Sequence, residues 1–249
     1  MRYRATLAYD GTAYQGFQRQ SGDIPTIQGT VERAIASASG GQRVNVSGAG
    51  RTDTGVHASG QVIAFDLDWT HGDQTLLRAI NFHLPEDIAL QHIRRQPDFH
   101  PRHDAISRLY RYRVLVAAQR QPLLRTRVWQ MRHELDGELM EQAARLFLGE
   151  KDFGALGRPT QGEVTIRTVF RSEWTSQQNE FGTLWTYTVE ADGFLQHMVR
   201  RMVAMLVQVG QQRMTVERFE ELLNRAKLVE ALAIAPPQGL TLEVVRYNE

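Results

Sequence analysis

Two hydrophobic periods take turns along this chain, and their alternation limits it to a mixed architecture. Residues 2–9 put Tyr3, Ala5, Leu7 and Tyr9 on one face at a period of two, which predicts a strand. Thr26 then stands where an N-cap belongs, before Ile27, Val31, Ala34, Ile35 and Ala38 at helical spacing, and Gly40-Gly41 stops that helix. Short strands are predicted at 44–46, 61–67 and 88–93, with a helix carrying Leu76, Leu77 and Ile80 between the last two. The pattern then repeats. A strand over 107–116 puts Tyr110, Tyr112, Val114 and Val116 on one face and Arg111, Arg113 and Leu115 on the other. Asp136 caps a helix carrying Leu139, Ala143, Leu146 and Phe147, and strands are predicted at 165–174 and 183–191. Helices follow at 195–209 and from Thr215 to about Ala226, and the turn Pro236-Pro237-Gln238-Gly239 leads into a last strand over 240–245. The expected fold is α+β: two similar α/β halves, antiparallel or mixed sheets covered by helices, with an active-site cleft between them. The halves are placed at 1–103 and 104–249, joined through Pro97-Asp98-Phe99-His100-Pro101-Arg102.

The 249 residues suffice for a proper core, and 42% hydrophobic with 23% charged residues excludes disorder and a coiled coil. No run of about 18 apolar residues is present, and the first residues alternate without an apolar signal core, so the expectation is a cytoplasmic protein with no membrane association. The absence of cysteine removes disulfides, thiol nucleophiles, zinc fingers and iron–sulfur clusters together. The net charge of +1 hides a strong asymmetry. Of 29 cationic side chains only Lys151 and Lys227 are lysines; high genomic GC content explains such a bias, as does a need for phosphate forks and base stackers. Between Gln91 and His133 stand ten arginines and four histidines against two acids, Asp98 and Asp104. Such a block is the footprint of a polyanionic partner.

The sharpest local feature is the glycine-rich stretch from Gly48 to Gly55. It lacks the third glycine of a dinucleotide loop and the Lys-Ser/Thr of a phosphate loop, and an acid among its amides would repel phosphate. It is better suited to holding Asp53, either for chemistry or as an Asx-turn that bonds its own amides. Asp66 and Asp68 alternate with Phe65 and Leu67 and so face solvent, and the histidines show no metal-ligand spacing. Met198, Met202 and Met205 lie on an apolar stripe and belong to the core. In Ser107-Arg108-Leu109-Tyr110-Arg111-Tyr112-Arg113 the aromatics are either half-buried packing or a stacking platform flanked by phosphate contacts. Arg200 borders the apolar stripe of its helix, where a guanidinium needs an anion; an ionised aspartate such as Asp53 would serve.

Taken together, these stretches resemble the TruA-type tRNA pseudouridine synthases along the whole chain. The similar segments are Tyr9-Asp10-Gly11-Thr12 with Tyr14, Gly16, Phe17 and Gln18; Thr26-Ile27-Gln28-Gly29 with Glu32; and Gly50-Arg51-Thr52-Asp53-Thr54-Gly55-Val56-His57-Ala58. Further on they are Arg108-Leu109-Tyr110-Arg111-Tyr112, Gly193-Phe194-Leu195 through Met198-Val199-Arg200, and Pro236-Pro237-Gln238-Gly239-Leu240. One departure is Glu150-Lys151-Asp152-Phe153, where the family often has His before Asp-Phe. The resemblance implies isomerisation of uridine to pseudouridine on the 3′ side of the tRNA anticodon arm by a homodimer that uses no cofactor and no metal. It implies Asp53 as the essential aspartate, Tyr110 as the stacker on the target base, and Arg200 as the aspartate's partner. Arg51 would fill the space of the flipped nucleotide, and Leu240 would belong to the substrate-binding C-terminal loop.

The chemistry agrees with these residue types. Moving C1′ from N1 to C5 needs no redox step, only an ionised carboxylate acting as nucleophile or base. Unstacking a base costs a few kcal/mol, of which stacking on Tyr110 returns about 1–3 kcal/mol. Two rival readings are a non-catalytic RNA-binding module built on the Tyr110 strand and the 91–133 segment, and a glycoside hydrolase pairing Asp53 with Asp66 or Asp68. The first leaves the glycine-framed Asp53 without a purpose, and the second gives the arginines no role.

Overall fold

The computed structural model describes residues 1–159, 162–225 and 232–248. The first elements along the chain are β1 (Arg2–Tyr9), α1 (Ile27–Ala38), β2 (Ser47–Gly48), β3 (His57–Asp66), α2 (Asp73–His83), β4 (Ile88–Arg95) and β5 (Ala105–Val116). They continue with β6 (Trp129–Met131), α3 (Gly137–Arg145), β7 (Gly149–Asp152), β8 (Ile166–Asn179), β9 (Gly182–Ala191), α4 (Met198–Gly210), α5 (Val216–Leu223) and β10 (Leu240–Tyr247). The fold is α+β, as the two periods predict. Of the helix expected over 215–226, the part through Leu223 is formed, and Ala226 lies outside the described residues.

Contacts divide the chain into two compact units, Met1–Ile106 with Thr241–Glu249, and Ser107–Leu240. The expected second half, 104–249, includes the last strand. The last strand instead belongs with the first unit, because Thr241 and Leu242 run parallel to His57 and Ala58 of β3. A strand returning from a distant part of the sequence leaves no local periodicity to show where it docks.

In the first unit β1 lies between β4 and β3, antiparallel to both. Its buried face is the predicted one, Tyr3, Ala5, Leu7 and Tyr9, with the Tyr3 ring stacked on Phe65 at 5.6 Å. The Thr26 hydroxyl accepts the Gly29 N–H and caps α1, whose Val31 and Ile35 are fully buried, while α2 buries Leu76 and Ile80. The end of β10 is held by Tyr247, whose hydroxyl donates to the Pro101 carbonyl at 2.7 Å. The Arg4 guanidinium lies over the Tyr247 and Phe99 rings, 4.2 and 4.8 Å from their centroids.

The strand expected at 44–46 does not form. The Val46 N–H donates to Glu32 Oε1 and its carbonyl accepts from Gln28 Nε2, both at 3.0 Å, so two side chains of α1 take the place of a neighbouring strand. Pairing begins one residue later, with Ser47 and Gly48 opposite Ala64 and Ile63.

In the second unit the strands run in the order β5-β9-β8-β7, all antiparallel, with β6 parallel to β5. Asp136 caps α3 by accepting the Leu139 N–H. Met198, Met202 and Met205 are buried on α4, as the stripe predicts. That helix starts at Met198 rather than 195, because His197 sits at φ +62, a left-handed conformation that an L-residue seldom adopts inside a helix. In the departing segment around residue 150 the Asp152 carboxylate accepts the Gly154 N–H at 2.8 Å, and Phe153 is fully buried beside Phe147.

Candidate active site

Asp53 stands in the loop between β2 and β3, half-buried, and every turn of that loop is tied down within the first unit. The Ala49 N–H donates to Val62 O, Gln61 Nε2 donates to Gly50 O at 2.9 Å, and the Phe17 N–H donates to Thr52 O at 3.0 Å. The Thr52 hydroxyl shares a 2.8 Å hydrogen bond with the Tyr9 hydroxyl, and the Val56 N–H closes the turn on the main-chain carbonyl of Asp53. Burial pushes the Tyr9 hydroxyl up to about 12, with hydrogen bonds from Thr52 and Gln61 offsetting part of that rise, so Tyr9 stays a neutral phenol at physiological pH.

The Tyr9-Asp10-Gly11-Thr12 segment lies directly against this loop. A Cβ on Gly11 would stand 2.0 Å from Val56 O, so only glycine allows the approach. The Gly11 N–H donates to His57 Nδ1 at 3.1 Å, and Asp10 Oδ1 lies 3.1 Å from the same nitrogen while accepting from the Thr12 N–H. Gly16, at φ +85, passes so close to Thr52 O that a Cβ there would sit 2.9 Å away. The first and third similar segments of the sequence are therefore two sides of one structure. Arg51, next in the loop, is exposed.

In the second unit three other segments converge. Tyr110, on β5 opposite Val189, is 8% exposed with its ring edge-on to Phe194 at 5.2 Å. Arg200, in the first turn of α4, donates from Nε to Ala235 O at 2.8 Å, while the Ala235 N–H donates back to Arg200 O. The Tyr112 hydroxyl donates to Pro236 O at 2.7 Å, and a Cβ on Gly239 would strike the Tyr112 ring at 2.6 Å. Burial raises the Tyr112 hydroxyl far above the usual tyrosine range, with the nearby Arg200 charge acting the other way. Leu240 follows this turn, buried at the start of β10. The strand, the helix and the C-terminal turn thus moor one another through main-chain carbonyls. Arg201, the neighbour of Arg200, is buried, and its Nη1 donates to Leu156 O at 3.1 Å, which gives it an anchoring role in the helix start.

The arginines of the basic segment are not all alike. Arg94, Arg111, Arg120, Arg125, Arg127 and Arg132 are exposed. Arg95 is tied to Asp73 at 3.2 Å and Arg108 donates to Asp192 O at 2.7 Å, so these two serve the fold. His100 accepts the Arg102 and His103 N–H groups on Nδ1, and burial with the neighbouring His103 lowers its pKa, which makes it a neutral turn cap. Asp66 is exposed and pairs with Arg2, as expected of an outward-facing residue. Among the described residues no group of three or more His, Cys, Asp or Glu side chains is placed to hold a metal, and no helix is long and apolar enough to cross a membrane.

What sequence reasoning missed is the bonding of Tyr9 to Thr52 and of Gln61 to Gly50. Tyr9 reads as core and Gln61 as the start of an apolar strand, and the only local signal is polar atoms sited beside a glycine-rich loop.

Comparison with known proteins fits this arrangement. A family model described as tRNA pseudouridine synthase matches residues 5–104 and 143–248, which takes in the Asp53 loop, the arginine helix and the C-terminal turn. A protein named tRNA pseudouridine synthase A from Neisseria gonorrhoeae (strain NCCP11945) is 39% identical over 99% of this chain and 92% of its own length. Proteins of the same name from Methylacidiphilum infernorum (isolate V4) and Chloroflexus aurantiacus (strain ATCC 29366 / DSM 635 / J-10-fl) are 40% and 42% identical, over 98% and 97% of this chain and 95% and 87% of theirs. With the family model matching residues on both sides of the chain and relatives about 40% identical along its length, the chain belongs to the tRNA pseudouridine synthase family.

Proposed function

We propose that this protein isomerises uridine to pseudouridine in tRNA, on the 3′ side of the anticodon arm, with Asp53 as the catalytic carboxylate. The observation that carries the reading is the loop itself: a half-buried aspartate on a glycine-rich turn whose carbonyls and hydroxyl are gripped by Phe17, Gln61 and Tyr9. A loop that only turned the chain would not need such anchorage, whereas a reacting group must be held to within a fraction of an ångström.

In the reaction the bond from N1 to C1′ breaks, C1′ joins C5, the C5 hydrogen leaves as a proton, and N1 takes up a proton from solvent, so that atoms and charge balance. The chain's contribution is a carboxylate that acts as nucleophile or base, and a surface that accepts a nucleotide taken out of its stack. In this reading Tyr110 stacks on the target base, Arg200 is the cationic partner that keeps the aspartate ionised, Leu240 lies against the nucleotide, and the exposed Arg51 fills the vacated space. The enzyme acts as a cytoplasmic homodimer and draws on no cofactor.

A single-turnover assay on tRNA transcript tritiated at uracil C5 tests the proposal. Wild type releases tritium, and Asp53→Ala releases none while binding tRNA as tightly. Tight binding by both with release from neither would instead make this an RNA-binding module with a structural aspartate.

A further inference from the structure

We propose that Tyr9, acting through Thr52, and Gln61, acting through Gly50, are positioning residues for Asp53. The inference rests on the reading of Asp53 as the catalytic carboxylate.

The loop presents a physical problem. Gly55, at φ +77, lets the chain turn sharply and Gly48 lets it pass the Phe17 ring, but glycine also loses the most conformational freedom on ordering, so a loop rich in it is soft unless something outside holds it. The holding groups come from the interior. Tyr9 is 4% exposed, and its one polar atom meets the hydroxyl of Thr52, itself 6% exposed and bonded directly to Asp53 in the chain. Gln61 is wholly buried and spends an amide hydrogen on Gly50 O, three residues before Asp53. Its Oε1 meets no hydrogen-bond partner among the described residues. A buried amide with one unpartnered end costs about 1–3 kcal/mol, which offsets much of what its bond to Gly50 O returns to stability.

The strands aim these groups. The register of β1 on β3 slips between Leu7, opposite Gln61, and Tyr9, opposite Ala58, so β3 carries an extra residue there. Such a bulge redirects the side chains around it. Gly60, inside the irregularity, passes so close to β10 that a Cβ would lie 2.1 Å from Glu243 O. Tyr9 and Gln61 therefore enter the loop from opposite ends of one bulge and bond it at two points on the N-terminal side of Asp53. The Phe17 N–H on Thr52 O and the Val56 N–H on Asp53 O complete the frame.

Five variants test the assignment in the tritium assay, each with tRNA affinity measured in parallel. Gln61→Leu removes the bond to Gly50 O and is expected to slow single-turnover release by about 10- to 100-fold with the Kd for tRNA unchanged within about threefold; release at the wild-type rate would overturn the role of Gln61. Tyr9→Phe and the isosteric Thr52→Val keep the packing and remove one hydroxyl each. Both are expected to slow single-turnover release by about 10- to 100-fold, since small misplacements of a reacting group cost that much, with the Kd for tRNA unchanged within about threefold. Thr52→Ser, which keeps the hydroxyl, is expected to run near the wild-type rate. The Tyr9→Phe/Thr52→Val double variant is expected to be no slower than the slower single, because the two hydroxyls act as one pair. A Thr52→Ser enzyme as slow as Thr52→Val, or rate losses that multiply in the double variant, would assign these residues to packing and overturn the inference. So would Thr52→Val at the wild-type rate beside an inactive Asp53→Ala. Equal release by wild type and Asp53→Ala would overturn the functional reading, and the positioning role with it.

Discussion

Tyr9 is the residue at which burial and hydrogen bonding can be read as a pH dependence. Burial lifts its hydroxyl from the ordinary 10 to about 12, so the folded state holds the phenolic proton more tightly than the unfolded chain does. The resulting stabilisation is fully present below pH 10 and is lost as the pH rises from about 10 through about 12. A two-unit difference is worth about 2–3 kcal/mol. Burial raises Tyr14, Tyr112 and Tyr187 as well, so wild type weakens in alkali for several reasons, and the informative quantity is the difference between proteins. Urea unfolding of wild type and Tyr9→Phe at pH 8 and near pH 11 should show the variant losing less stability over that interval; equal losses would mean that Tyr9 does not resist ionisation. Tyr9 also shows what a sequence conceals at this scale. Asp53, Tyr110 and Arg200 stood out because each breaks its local pattern: an acid among glycines, aromatics alternating with cations, a guanidinium beside an apolar stripe. Tyr9 fits its pattern perfectly as the fourth apolar residue of a strand, and periodicity registers the ring without registering where the hydroxyl ends up.

Elements form where main-chain groups find partners, and around Val46 those partners are side chains. Glu32 is 8% exposed; its Oε1 accepts from the Val46 N–H and from Gln28 Nε2, both at 3.0 Å, while its Oε2 meets the Arg19 guanidinium at 2.6 Å. Glu32→Leu would strand a buried main-chain N–H and a buried amide. The expected loss is about 2–4 kcal/mol, which lowers the thermal midpoint by roughly 5–15 °C. Arg19 is largely exposed, and Arg19→Ala should cost no more than about 1 kcal/mol. A Glu32→Leu midpoint no lower than that of Arg19→Ala would show that the latch carries no weight. This latch explains why alternation in Val44-Asn45-Val46 predicts a strand that is absent: the residues suit one, but α1 satisfies their backbone first. The reverse miss is β7, whose Gly-Glu-Lys-Asp sequence has no apolar residue and whose side chains are all exposed, so only its pairing with β8 marks it as a strand. The major helices and the central strands were legible because each buries a face of its own. The start of α4 was not, because the left-handed turn at His197 interrupts a stripe whose apolar spacing runs on without a break.

At the scale of the whole molecule, net charge and charge placement point in different directions. A chain with a formal charge of +1 has almost no long-range attraction for a polyanion, and at physiological ionic strength charges further apart than about 8 Å are largely screened. Affinity for RNA must then come from cations that touch phosphate, and the 91–133 segment supplies them where the chain passes from the first compact unit to the second. Its arginines are not equivalent. Arg95 pairs with Asp73 and Arg108 bonds Asp192 O, and the side chains of Arg94, Arg111, Arg120, Arg125, Arg127 and Arg132 are exposed. Each phosphate neutralised releases counterions and contributes a slope of about −0.7 to −0.9 to log K against log salt concentration. Engagement of most of the exposed set predicts a slope of about −3 to −5 for tRNA binding, and Arg125→Gln/Arg127→Gln should make it shallower by about 1.5 to 2 while leaving single-turnover release at saturating enzyme unchanged. Titrations at several salt concentrations decide the matter. A wild-type slope shallower than about −1 would remove the segment from the RNA interface. A slope unchanged by the double variant would move the phosphate contacts to other arginines.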